Sequence, residues 1–341
     1  MAAIDEPISV PNSPAIPGLR FRHYRGSGDV PALVEVFNSL ADAGQTDFIA
    51  SVEFFANFFA HSSHFDPYHD VAIVEVGEDV VGFARCWTED EANGPLVYAF
   101  NGQVKPAWQG RGITRALLNW AEAHLRLAAA GHPGGRAKVF QRWVHHGQTG
   151  VRALLESEGY APARYFHLMV RPSLENIPDF PLPEGVEVRP VRPEHYRLIW
   201  NTESEAFQDH WGFTPRTEAD YQGWLGDSST FQPDLWQVAW DVATDEVAGQ
   251  VLTFIDQAEN EKFNRRRGYT ERISVRRSWR RRGLARALIA RSLHAQKARG
   301  MTESALGVDS ENLSGATRVY EDCGFRTVNI NTVYRKAFST G

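Results

Sequence analysis

Cysteine is scarce in this chain. Only Cys86 and Cys323 occur in 341 residues, one in each half and outside any metal-ligand spacing. That argues against a disulfide framework and a cysteine-held metal, so a reduced, cytoplasmic chain without a metal is expected. Long apolar runs are also lacking, and none reaches the length a bilayer-spanning helix requires. Residues 1–17 carry Pro7, Pro11, Pro14 and Pro17 but no apolar core, so they read as a mobile tail and not as a secretory signal. Nor is there a surplus of positive charge. The 42 acidic and 36 basic residues leave a net −6, which excludes a chain that grips polyanions over its whole surface.

The basic charge that is present is concentrated. Arg265 to Arg291 is dense in arginine, with Glu271 its only acid. Such a run is a solvated face, a nucleic-acid groove binder or the surround of a phosphorylated cofactor. No aromatic-interleaved binding module accompanies it, and the local order favours the cofactor over nucleic acid. Glu271, Ile273 and Val275 alternate with polar residues as in a short half-buried strand. A turn of arginines follows, then Gly283 and Ala285. Ala287, Leu288, Ile289 and Leu293 then fall at helical spacing. A strand–turn–helix of this kind aims backbone N–H groups at one point and adds the partial positive charge of a helix start. That is a phosphate site, and small residues there let the phosphate approach the backbone.

Arg280, Gly283 and Ala285 spell R-x-x-G-x-A. Ala305–Val308 reads as the next strand, and Asn312, Ala316, Tyr320, Gly324 and Phe325 then spell N-x-x-x-A-x-x-x-Y-x-x-x-G-F. Together these resemble the acetyl-CoA site of the GNAT superfamily of N-acetyltransferases. Arg277 departs from the usual pattern, where proline is common. The resemblance implies acetyl-CoA as cofactor and direct transfer of the acetyl group to an amine. It implies Ile273, Ser274 and Val275 along the pantetheine arm, paired like an added strand where two sheet strands splay apart. Arg280, Arg281, Arg282, Gly283, Leu284, Ala285 and Arg286 would then surround the phosphates.

The chemistry needs a neutral amine, and a free alkylamine with pKa near ~10 is protonated at neutral pH. Glu271 is the candidate base, or else an ordinary ion-pair partner of Arg272, Arg276 or Arg267. Tyr320 is the candidate acid for the departing thiolate, or else a core tyrosine on an amphipathic helix. Asn312 either bonds the cofactor arm or caps a helix.

The chain repeats one plan of strands and helices in two halves. The expected fold class is α+β, an α/β mixed sheet in each of two tandem GNAT acyl-CoA N-acyltransferase domains. The domains are expected at 18–171 and 186–341, joined by a Pro-rich linker at 172–185. The resemblance runs from Leu19 to Phe338, and within the superfamily it is most marked to the two-domain mycothiol synthase-like subgroup. The first half places Val104, Gln109, Gly110, Arg111, Gly112, Ile113 and Thr114 where the phosphate loop belongs, as a second CoA site. Thr114 is bulkier than the usual residue, and Leu155 stands where the second half has Tyr320. The first half is therefore expected to be non-catalytic.

Glu203, Glu205, Asp209, His210, Trp211 and Phe213 suggest an acceptor site with acids for a cation and aromatics for its body. A plain acidic helix end accounts for them equally, and His210 is a second candidate base. The function expected is acetyl transfer to the primary amine of a small molecule, by a monomer or homodimer with no membrane partner. The alternatives are a CoA-sensing scaffold and acetylation of a protein amine.

Overall fold

The computed structural model describes residues 7–132, 134–311 and 315–338. In the first half the elements are β1 (Leu19–His23), α1 (Val30–Asp42), α2 (Val52–His61), α3 (Pro67–Asp70), β2 (Val71–Val76), β3 (Asp79–Asp90), β4 (Leu96–Val104), α4 (Ile113–Ala130), β5 (Lys138–Val144), α5 (Thr149–Ser157) and β6 (Ala161–Arg171). In the second they are β7 (Val186–Val188), α6 (Tyr196–Phe207), α7 (Glu218–Gly226), β8 (Gln237–Asp241), β9 (Glu246–Phe254), α8 (Gln257–Lys262), β10 (Arg267–Val275), α9 (Leu284–Ala298), β11 (Glu303–Asp309), α10 (Ala316–Asp322) and β12 (Arg326–Ala337).

The chain divides into two compact units that do not follow its halves. One comprises Met1–Arg164, Thr217–Gly223 and Asn331–Gly341; the other comprises Tyr165–Arg216 and Trp224–Ile330. In the first unit the sheet runs β1-β2-β3-β4-β5-β12, with β4 and β5 parallel and the other neighbours antiparallel. In the second it runs β7-β8-β9-β10-β11-β6, with only β10 and β11 parallel. Each unit is the mixed sheet with helices that the repeat implied. Each sheet ends on a strand from the other half of the chain: β12 beside β5, and β6 beside β11. The boundary expected near residue 172 therefore does not divide the units. Strand pairing is fixed by backbone hydrogen bonds, which a linear pattern does not encode.

Each first-unit sheet face is apolar at every second residue, and each is covered. Ala84, Cys86, Tyr98 and Phe100 pack on Ile113, Leu117, Ala121 and Leu125 of α4. Val71, Ile73 and Phe83 on the other face pack on Leu33 and Val36 of α1 and Phe55 and Phe59 of α2. Ser51 starts α2 by accepting from Phe54 N at 3.0 Å. In the second unit Ala239, Val251, Leu306 and Val308 pack on Leu284, Leu288 and Leu293 of α9. A Leu buried in this way contributes roughly 1.5–3 kcal/mol.

Two segments expected to be loose are packed. Ile8 N donates to Phe21 O at 2.8 Å, and Val10 is buried in the first core, so the described part of the expected tail lies against its unit. The Pro-rich stretch buries Leu174, and Ile177, Phe180 and Leu182 pack on the second core. Leu174 N donates to Thr302 O at 2.9 Å.

Candidate active site

In the second unit β10 leads through a single turn, Arg277–Trp279, into α9. Arg281 (φ 62°) and Gly283 (φ 86°) are left-handed, and Gly283 caps the helix. No side chain caps the first turn of α9, and a Cβ on Gly283 would meet nothing within 4 Å. The loop is thus an open cradle of backbone donors that fits a pyrophosphate. Its arginines are mostly committed to the protein. Arg280 Nε donates to Val275 O at 3.1 Å and Nη2 to Ala206 O at 3.2 Å, bracing the turn. Arg282 stacks on Trp279, and Arg286 pairs with Asp322. Arg277, the departure from the usual proline, holds Asp209 at 2.6 Å.

The parallel ladder between β10 and β11 runs through Arg267↔Glu303, Gly268↔Ser304 and Tyr269↔Ala305. Beyond it the two strands run on without pairing to each other, so the sheet opens there. Glu271 reaches across this opening, and its Oε1 accepts from Gly307 N at 2.7 Å. Ser274 Oγ is buried without a partner among the described residues.

Glu271 is aimed by a β-bulge. The register against β9 passes from Glu271↔Leu252 to Ser274↔Gln250, so two β10 residues oppose Val251. Arg272, in the bulge, is left-handed at φ 50°, which costs about 1 kcal/mol for a non-glycine residue. Its side chain is held by Glu203, with Nη1 3.0 and 3.1 Å from the two carboxylate oxygens. Burial pushes the Glu271 carboxyl up to about 7, against the pull of the Gly307 N–H and the Arg272 charge. The group is therefore poised between its two protonation states near neutrality.

Tyr320, from α10, is buried, and its hydroxyl makes no hydrogen bond among the described residues. Burial and then the negative charge of Glu271 raise its pKa, so it keeps its proton through the neutral range. The end of α10 is clamped by Arg171 Nη1, 2.6 Å from Cys323 O. Gly324 (φ 87°) is required there, since a Cβ would sit 2.0 Å from that nitrogen. Asn312 lies outside the described residues.

The expected acceptor residues are placed differently. Glu203 is not available to a cation: it is 2% exposed and pairs with Arg216 at 2.8 Å as well as Arg272. These charges hold it below the usual carboxylate range despite burial. Asp209 is likewise taken by Arg277 and Arg280. His210 packs on Phe207 with ring centroids 4.2 Å apart, and burial lowers its pKa against the charge of Asp309. Trp211 lies near Phe166. Sequence reading missed Arg216 and Gly307, and it offered Arg272 only as a partner for Glu271, not as the left-handed residue held by Glu203. Arginine carries no left-handed signal, and the Glu203 pairs join residues 13 and 69 positions apart.

The first unit repeats the loop but not its openness. Gly110 (φ 74°) and Gly112 (φ 87°) take the left-handed places, and Arg111 stacks on Trp108 as Arg282 does on Trp279. A Cβ on Gly112 would lie 3.2 Å from Pro14, so the expected tail covers this cradle. Gln109 bonds Val104 O at 2.9 Å and Gln45, and Ile113 is buried. The β4–β5 ladder ends at Ala99↔Gln141. Beyond it the buried Arg142 fills the gap and donates to Gly102 O at 2.6 Å. Leu155 is buried in the core. The β4 register runs without a bulge, and Asn101 stands in β4 at the position equivalent to that of Glu271 in β10.

Residues 195–325 match the acetyltransferase (GNAT) family, and residues 67–162 match an acetyltransferase (GNAT) domain. The mycothiol acetyltransferase of Streptomyces scabiei is 30% identical over 265 residues, 77% of this chain and 78% of that protein. That of Thermobispora bispora is 29% identical over 265 residues, 76% and 81% of the two chains. Among solved structures, a GCN5-related N-acetyltransferase from Sphaerobacter thermophilus matches with TM-score 0.70 and 22% identity, covering 98% of each chain. A tandem GNAT protein from the clavulanic acid biosynthesis pathway matches with TM-score 0.67 and 16% identity, covering 95% of this chain and 99% of its own. The chain belongs to the GNAT family of acetyl-CoA-dependent N-acetyltransferases, with one family domain matched in each half.

Proposed function

We propose that this N-acetyltransferase works in its second unit and that its acceptor is the primary amine of a small molecule. The observation that carries the first part is the convergence on one splayed strand pair. An open phosphate cradle, a carboxyl poised near neutrality and a buried tyrosine with a free hydroxyl all belong to the second unit. The relatives are named mycothiol acetyltransferases, which supports a small-molecule acceptor in preference to a protein.

Acetyl-CoA, when bound, supplies the activated acetyl group. The backbone N–H groups after Gly283 hold its phosphates, and the splay beside Ser274 and Val275 takes its arm. Glu271 Oε2 draws a proton from the acceptor's ammonium while Oε1 keeps the Gly307 N–H. As the acceptor nitrogen bonds the acetyl carbon and the carbon–sulfur bond breaks, Tyr320 Oη would give a proton to the sulfur and regain one from the new amide nitrogen, which suits a phenol that stays protonated at neutral pH. The first unit is a non-transferring scaffold, with its cradle under Pro14 and its strand gap filled by Arg142.

A thiol-release assay with acetyl-CoA against amino sugars, amino-acid conjugates, aminoglycosides and N-terminal peptides tests this reading. Turnover with a small amine, strongly reduced in Tyr320→Phe and in Glu271→Gln, is expected. Turnover confined to peptides would overturn the acceptor class, and full activity in both variants would overturn the site.

A further inference from the structure

The first unit holds a cation the scaffold role does not use. Arg85, on β3, lies between two aromatic rings, with its guanidinium carbon 4.2 Å from the Phe58 centroid and 4.7 Å from that of Trp87. Among the described residues it makes no hydrogen bond and no ion pair, and the Glu89 carboxylate acts on it only from beyond ion-pair distance. Its crowding is enough that burial pushes it down to about 10, yet the residue is only half-buried and its nitrogens are not sealed from solvent. Its N–H donors therefore face solvent and are available to a hydrogen-bonding anion.

Arg85 pairs directly with Asn101 in the antiparallel register, so the two side chains share a face. The Asn101 amide also has no partner among the described residues. The equivalent pair in the second unit is Leu252↔Glu271. Where one unit presents a proton acceptor beside an aliphatic group, the other presents a guanidinium fork beside an amide. The corresponding place has changed from one that takes a proton to one that donates hydrogen bonds.

We propose that the first unit binds a small carboxylate ligand in the slot between Phe58 and Trp87, with the carboxylate forked on Arg85 and reached by the amide of Asn101. The slot decides between anions. With two rings packed on the guanidinium, its N–H edge is the approach, and a flat two-oxygen group continues that plane. A tetrahedral phosphate would press oxygens into the rings. This site makes no use of acetyl-CoA or of the second unit's chemistry.

The test is calorimetric titration of the whole protein with succinate, glutamate and gluconate, with inorganic phosphate as the tetrahedral control. At least one carboxylate is expected to bind saturably and phosphate is not. Arg85→Met should abolish binding while lowering the melting temperature of the free protein only slightly, because the thioether keeps contact with the two rings on which the guanidinium packs. Arg85→Lys keeps the charge without the fork and should weaken binding at least tenfold. No saturable carboxylate binding, equal binding in Arg85→Lys, phosphate competing as well as a carboxylate, or a large loss of stability in Arg85→Met would each overturn the proposal.

Discussion

The two units share a strand order, a glycine-capped helix and a ladder that stops short, yet their sites differ at every chemical position. Against Gly283 there is open space; against Gly112 there is Pro14. Between β10 and β11 a carboxylate spans the opening, while between β4 and β5 a buried guanidinium fills it. Tyr320 answers to Leu155 and Glu271 to Asn101. The first unit keeps the left-handed glycine cap although Pro14 lies over it. Glycine at the helix cap meets a backbone requirement and is no sign of function by itself.

The sharpest way to break this comparison is at the acid and the base. Tyr320→Phe is expected to lower kcat by roughly 10²–10⁴-fold, the usual worth of general acid–base catalysis, with little change in KM for acetyl-CoA. Glu271 takes a proton only when ionised, so wild-type activity should rise with pH through about 7, and Glu271→Gln should lose that limb. Steady-state kinetics from pH 5.5 to 9 check both, on the order of one point per half unit to resolve the limb. A rising limb that persists in Glu271→Gln would move the base elsewhere.

Next in size is the Glu203 network. Replacing Glu203 by Gln leaves Arg216 and Arg272 without their shared anion. Breaking a buried pair costs roughly 3–5 kcal/mol, and the partial exposure of Arg272 puts this case at the lower end. Glu203 has a lowered folded pKa, so its contribution is present above its ordinary range and lost as pH falls through the folded value. The variant should therefore be less stable than wild type at pH 7, with the gap closing in acid, as urea unfolding would report. Because the same pair steadies the bulge, kcat should fall as well.

Most of the fold could be read along the chain because helix and strand periods are local. Leu33, Val36 and Leu40 on α1 and the alternation of β10 announce their elements without help from distant residues. The four-residue α3 and six-residue α8 were missed, since neither is long enough to show a period. The exchanged closing strands, the bulge at Arg272 and the packing of Leu174 were also hidden. Each depends on which distant segment lies alongside. The loop and Tyr320 were legible because their residue types are constrained by the backbone or spaced along one helix. The acids at Glu203 and Asp209 left two readings open for a related reason: an acidic run looks free until the arginines that neutralise it, far along the chain, are in place.

Glu271 also carries a smaller stability signature of opposite sign. Its folded pKa is raised, so its ionised form is disfavoured, and stability should fall as pH rises from the ordinary carboxylate range through about 7. Glu271→Gln keeps an oxygen for Gly307 N and removes the charge. It should be more stable than wild type at pH 8 by roughly 2 kcal/mol, below the 1.36 per unit that full burial would give, because the residue is partly exposed. At pH 4 the two should unfold together. Equal stability at both pH values would mean that the opening solvates the carboxylate fully.

The smallest expected effect concerns the covered loop, and its size is the point. Wild type should bind one CoA per chain by equilibrium dialysis, because Pro14 closes the first cradle and Arg142 occupies the gap beside it. Pro14→Gly removes only the first obstacle. The Arg142 guanidinium still holds Gly102 O, a main-chain group that an inserted arm would need, and breaking that buried bond leaves a charge without a partner. The stoichiometry should therefore stay at one in Pro14→Gly. A second CoA in wild type would mean that the first cradle opens readily. A second CoA appearing only in Pro14→Gly would make Pro14 the sole barrier and leave Arg142 no part in closing the gap.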